Sequence, residues 1–183
     1  MIVTDMTHAY FMRHGQTNYN LQGLCNADPS RDVHLTPLGQ EQARQAALQL
    51  KSVPLELIIA SPLPRTRETA AIVHQYHQCD IQYEAAIIDI RSGCEDRPVT
   101  EYQAAIARDP LHLRVNGGES VLEHKQRILT FLQGLREKEY RHILVVAHEE
   151  TLRVIYAYFQ HLSDEAMLEL HFNNCEIIQF EMP

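Results

Sequence analysis

Residues 9–15 read Ala9-Tyr10-Phe11-Met12-Arg13-His14-Gly15. A short, mostly apolar run leads straight into a cation, an imidazole and a glycine. Such a run bounded by polar loop residues is the pattern of a buried strand. In open α/β sheets, ligands bind in the crevice beyond the strand carboxyl ends. The stretch matters to the degree that other strands end the same way, and two do. Leu57-Ile58-Ile59-Ala60 leads into Ser61-Pro62-Leu63-Pro64-Arg65, and Ile143-Leu144-Val145-Val146-Ala147 leads into His148. If these three strands are parallel, Arg13, His14, Arg65 and His148 gather on one sheet edge. Donors of that kind suit a phosphate or a similar oxyanion.

The intervening sequence alternates strand-length apolar runs with helical patterns, which predicts an α/β fold: a mostly parallel central sheet in three layers, with helices on both faces. Residues 15–34 are polar and read as a long loop, a length that in compact domains is often functional. Thr36-Pro37 opens a helix with a good N-cap and a proline at the first helical position, and Leu38, Ala43, Ala46, Ala47 and Leu50 give it an apolar stripe. Ser61-Pro62 repeats that start, for a helix running to about Tyr76. Residues 85–90 read as a further strand, 100–108 as a short helix and Asn116-Gly117-Gly118 as a turn. Ser120 with Glu123 forms a capping box for a long helix through Leu135. A helix over 151–159 follows the strand at 143–147. Residues 168–172 and 175–180 read as two closing strands joined at Asn173-Asn174.

At 183 residues and 45% hydrophobic composition the chain is expected to form one domain over 1–183 with a sizeable core. A net charge of −8 without a Lys/Arg block argues against general nucleic-acid binding, while a local cluster of cations can still hold a small anion. The four cysteines, Cys25, Cys79, Cys94 and Cys175, are scattered with no Cys-x-x-Cys pair, so neither a zinc nor a redox signature is present. No signal peptide and no membrane-length apolar run are read, and the expected location is cytoplasmic. His148-Glu149-Glu150-Thr151-Leu152 lacks the second histidine of a zinc-binding His-Glu-x-x-His helix. His74 and His77 read as a solvated helix face. Neither metal nor cofactor is implied, and oligomeric state is left open.

A phosphate monoester fits the predicted crevice. Arg13 and Arg65 would offset charge on the transferring phosphoryl group, with His148 as a further donor. Thr17, Asn20 and backbone N–H groups near Gly15 would complete the cradle. Glu149 joins the phosphate-facing set as a residue that narrows the cleft and opposes highly charged phosphates. A neutral His14 could attack phosphorus through a ring nitrogen and be freed by water. The leaving alcohol needs a proton from a carboxylic acid. Asp89, at the end of an apolar run, is the leading candidate, with Glu84, Glu95 and Asp96 as competitors.

In this order the motifs resemble the histidine phosphatase superfamily, the group that includes phosphoglycerate mutases and many small phosphatases. Arg13-His14-Gly15-Gln16-Thr17 with Asn20 and Gly23 is similar to its opening motif. Leu35-Thr36-Pro37-Leu38-Gly39 with Gln42-Ala43 is similar to its first helix start, and Ser61-Pro62 with Arg65 and Thr69-Ala70 to its second arginine motif. Asp89, Gly93 and Asp96 have the spacing of its proton-donor segment. Gly118-Glu119-Ser120 and Val145-Val146-Ala147-His148 complete the series. The resemblance implies a phosphoglycerate mutase-like fold, a phosphohistidine at His14, phosphate contacts from Arg13, Arg65 and His148, and a small phosphorylated substrate. Departures accompany it. Glu149-Glu150 stand where the family usually has glycine, Asp89 replaces the commoner Glu, and Arg97 stands where many members have Gly. The stretch from Asp96 to Gly117 lacks the insertion typical of the mutases. The reading is therefore a phosphatase, with a phosphomutase or a non-catalytic phosphate-binding module as alternatives.

Overall fold

The computed structural model describes residues 6–182. Its sheet contains β1 (Thr7–Arg13), β2 (Leu57–Ala60), β3 (Asp80–Tyr83), β4 (His142–Ala147) and β5 (Ile177–Met182), in the order β3-β2-β4-β1-β5. The first four run parallel, and β5 pairs antiparallel to β1. Strands β2 and β4 are apolar at nearly every position because parallel interior strands are covered on both faces.

The pleat sorts their side chains into two cores. Phe11, Leu57, Ile59, Ile143 and Val145 face one side, where they pack against α5 (Val121–Arg136), α6 (Glu149–Phe159) and α7 (Asp164–Leu168). Met12, Ile58, Ala60, Leu144 and Val146 face the other side, against α2 (Pro37–Leu50) and α3 (Pro64–His74). The remaining helices, α1 (Asn18–Gln22) and α4 (Val99–Ile106), lie beyond the strand ends. Ile90, Cys94, Tyr102 and Ile106 form a small third cluster there.

Several expectations are corrected. Residues 85–90 are not a strand. Ala85–Ile87 form a 3-10 turn in which Ile87 is fully buried, and the Glu84 carboxylate caps it by accepting from Ala86 N–H at 2.8 Å. The edge strand is instead the polar segment Asp80–Tyr83, which backbone pairing to β2 sustains without a buried face. Residues 168–172 are not a strand either: Ser163 caps α7, which ends at Leu168, and Phe172 buries its ring without joining the ladder. Asp164 and Glu165 in that first turn suit the positive end of the helix. The second closing strand is present, shifted to Ile177–Met182.

Helix α3 begins at Pro64 and not at Ser61-Pro62. The long loop contains α1, and Leu38 is exposed, its place in the buried face of α2 being taken by Gly39. A Cβ added at Gly39 would stand 2.0 Å from the Gln16 carbonyl oxygen, and one at Gly15 2.4 Å from the Gly39 carbonyl oxygen. The start of α2 is therefore pressed onto the loop that carries His14. Gly39→Ala is expected to destabilise the protein by about 1–3 kcal/mol, the usual range for overpacking, read as a shifted urea midpoint with unchanged slope. An unchanged midpoint would show that the two segments part freely.

Candidate active site

The parallel register brings the three decisive strand ends together. Arg13 pairs with Ala147 and Ala60 with Val146. One residue further, His14 N–H donates to the Ala147 carbonyl at 3.1 Å and Ser61 N–H to the Val146 carbonyl at 3.0 Å. The His14 carbonyl accepts from Asn174 Nδ2 at 3.0 Å, and Gly15 N–H donates to Thr69 Oγ1 at 3.1 Å. The backbone of the putting-forth residue His14 is thus fixed from three directions.

His14 Nδ1 lies 2.8 Å from the Gly15 carbonyl oxygen, which can only accept, so the proton of the neutral ring sits on Nδ1. Nε2 is left with its lone pair, and that lone pair accepts from Arg65 Nε at 3.1 Å. Burial, then the positive charge of Arg65, the ring of His148 and the charge of Arg13 all hold the His14 pKa well below its usual value. A buried neutral imidazole with a free Nε2 is the form a nucleophile requires. His148 crosses it edge-on at 5.4 Å and is fully buried. Its Nε2 is 2.8 Å from Ser61 Oγ, and burial followed by Arg65 keeps it neutral as well.

Arg65 spends its donors on four contacts. Nε reaches His14, one terminal nitrogen donates to Asn26 Oδ1 at 3.1 Å, and the other donates to the Asn26 carbonyl at 2.9 Å and to Asp89 Oδ2 at 2.7 Å. Asp89 Oδ2 is also 3.5 Å from His148 Nδ1. Asp89 therefore joins the cluster although it does not end a strand; it follows the 3-10 turn. Among the competing carboxylates, Glu84 caps that turn, Glu95 accepts from Ala27 N–H at 2.8 Å, and Asp96 accepts from the Tyr19 hydroxyl and pairs with Arg31.

Arg13 donates to the Phe172 carbonyl at 2.6 Å and pairs with Glu149 at 2.8 Å. Glu149 is in turn held by Arg153 at 3.0 Å and lies 3.3 Å from His171 Nδ1. Burial alone would raise the Glu149 pKa, but Arg13 and Arg153 outweigh it and hold the carboxylate below its usual value. Glu149 thus touches the clamp arginine and competes with any anion for it. Glu149→Gln should tighten competitive inhibition by inorganic phosphate by about fivefold, the size of an ion-pair contribution near 1 kcal/mol. A weaker or unchanged inhibition constant would mean that Glu149 positions Arg13 for the anion.

Thr17 and Asn20 are brought near but serve local structure. They form the capping box of α1, in which Thr17 Oγ1 accepts from Asn20 N–H and Asn20 Oδ1 from Thr17 N–H, each at 3.0 Å. Three residues that hold the site in place were not singled out from the sequence. Asn26 binds Arg65 twice. Arg127 donates to the carbonyls of Ala86 at 2.8 Å and Ile88 at 3.0 Å, fixing the segment that presents Asp89. Glu119 braces Arg127; burial opposes its charge, but bonds from His124 and Arg127 hold its pKa far below the usual range. Glu119 stood in a quoted motif, and the Asn26 signal was only its polar loop setting.

Among the described residues no group of three or more His, Cys, Asp or Glu could hold a metal ion, and no helix is long and apolar enough to cross a membrane. The profile of the histidine phosphatase superfamily (branch 1) matches residues 9–183. A probable phosphoglycerate mutase, GpmB, of Shigella boydii is 29% identical over 181 residues, 94% of this chain and 83% of the relative. The crystal structure of a putative alpha-ribazole-5'-P phosphatase from Escherichia coli superposes with a TM-score of 0.85 at 26% identity, covering 96% of this chain and 90% of that one. A mycobacterial glucosyl-3-phosphoglycerate phosphatase superposes at 0.81 with 23% identity, covering 94% and 92%, a likeness of fold.

Proposed function

The chain belongs to the histidine phosphatase superfamily and is a phosphomonoester hydrolase, and from that premise we propose that its reaction passes through a phosphohistidine on His14. The observation that carries this reading is the free Nε2 lone pair of a buried, neutral His14, aimed at Arg65 at the sheet's carboxyl edge. A phosphate entering there displaces the Arg65 Nε contact and meets the guanidinium groups of Arg13 and Arg65 and the ring of His148. Nε2 attacks phosphorus as the ester P–O bond breaks, and the clamp offsets charge on the equatorial oxygens. Water then cleaves the P–N bond and returns His14 to its neutral state. The leaving oxygen takes a proton from a carboxylic acid at the mouth, where Asp89 and Glu150 both stand.

The substrate is a small phosphorylated molecule, and a cytoplasmic setting belongs to the same proposal: all four cysteines are free thiols, which a reducing compartment preserves. Rapid quenching with a phosphorus-labelled aryl phosphate should trap an acid-labile, base-stable phosphoprotein. A protein that turns over without such a species would overturn the phosphohistidine. The likeness to a probable phosphoglycerate mutase supports a second reading, transfer between hydroxyls. Following 3-phosphoglycerate by phosphorus NMR separates the two, since hydrolysis yields inorganic phosphate and a mutase yields the positional isomer.

A further inference from the structure

Two carboxyl groups stand at the pocket mouth, and their surroundings differ. Both oxygens of Asp89 already accept strong bonds, Oδ2 from Arg65 at 2.7 Å and Oδ1 from the Ile90 N–H at 2.9 Å. Its carboxylate holds the guanidinium that faces His14. Glu150 is half-buried in the first turn of α6, two residues after His148, and accepts no hydrogen bond from any other described residue. Its charge is felt by Arg65 on α3, by Cys25 in the loop before Asn26 and by Tyr102 on α4, and it feels Asp89. A carboxyl within reach of all four stands over the opening of the pocket. A second observation marks the same spot: the Tyr102 hydroxyl is buried without a hydrogen-bond partner, an arrangement that costs about 1–3 kcal/mol until a polar group fills it.

We propose that Glu150 is the general acid of the reaction, delivering its proton to the leaving-group oxygen, while Asp89 positions Arg65. As the Nε2–P bond forms, the P–O bond breaks. Its electron pair passes to the leaving oxygen, which takes the Glu150 proton and departs as the neutral alcohol. The Glu150 carboxylate then accepts a proton from the attacking water as the P–N bond breaks. The groups around Glu150 favour this cycle: burial first, then the negative charge of Asp89 and of Glu149, push its pKa up to about 7, against the opposing charge of Arg153. The acid is therefore protonated in a large fraction near neutrality, as general acids must be. Arg65, Tyr102 and Cys25 complete its charged and titratable surroundings.

The proposal rests on the phosphohistidine reading, and one experiment tests both. Steady-state rates are measured for wild type, Glu150→Gln, Glu150→Asp and Asp89→Asn on an aryl phosphate, whose leaving group needs no proton, and on an alkyl phosphate, whose leaving group does. Glu150→Gln should lose about 10²-fold or more in kcat/KM on the alkyl ester and less than about tenfold on the aryl ester. Its alkyl profile should also lose the decline that wild type shows above about pH 7. Glu150→Asp should recover part of the alkyl rate, and Asp89→Asn should slow both esters by one common factor. Equal losses on both esters in Glu150→Gln, or the aryl–alkyl split in Asp89→Asn instead, would overturn the assignment. Failure to trap phosphohistidine in wild type would overturn the underlying reading as well.

Discussion

His14→Ala should abolish turnover, lowering kcat on an aryl phosphate by about 10⁴-fold or more, the loss seen when a covalent nucleophile is removed. The substitution removes the only ring nitrogen in the pocket whose lone pair is directed at an arginine. His148 cannot take over, because its Nε2 is engaged by Ser61 and its Nδ1 lies toward Asp89. The expected fold is intact, since His14 is anchored through its backbone to Ala147 and Asn174, and a retained circular-dichroism melt checks this. The labelled phosphoprotein should vanish together with the activity. A variant that keeps wild-type turnover would remove His14 from the mechanism.

The second large effect is expected at Arg65. Arg65→Ala deletes the donor to His14, the fork on Asn26 and the partner of Asp89 in a single change. Loss of a transition-state arginine in phosphoryl transfer is worth about 10³–10⁵ in rate, and kcat/KM on any monoester should fall by that order. Stability should fall as well, by about 3–5 kcal/mol, because a largely buried carboxylate loses its counter-charge. Arg65→Lys separates the two losses: the ammonium restores charge beside Asp89 but cannot reproduce the planar fork. It should therefore recover more stability than rate, measured by urea midpoint and by kcat/KM. Equal recovery of both would mean that Arg65 contributes charge alone.

Legibility in the sequence followed burial. Strands β1, β2 and β4 could be read because interior parallel strands are forced to be apolar, and the residues after them could be read because their chemistry is unusual at a strand end. Strand β3 could not, since an edge strand owes its place to backbone pairing and Asp80-Ile81-Gln82-Tyr83 carries no apolar alternation. The opposite error occurred at residues 85–90, where buried Ile87 gives a strand-like run to a 3-10 turn. Within the site, Arg13, His14, Arg65 and His148 were visible as a set. Asn26, Arg127 and Glu119 were not, because they act by holding other residues across long separations that periodicity does not encode. The Glu149-Glu150 pair drew notice as a departure, yet only the fold shows that the two differ, one gripped by arginines and the other left without a donor.

The strand order has a consequence for biosynthesis. Strand β1, among the first segments to leave the ribosome, is flanked by β4 at 142–147 and β5 at 177–182. The carbonyls of Arg13 and His14 accept from the N–H of Cys175, the latter at 3.3 Å. A nascent chain must therefore carry an apolar, unpaired strand through most of translation, a state prone to aggregation until non-local pairing closes. The arginine–histidine pocket comes into being only as the final strand docks, so the growing chain stays catalytically silent until it can fold as a whole.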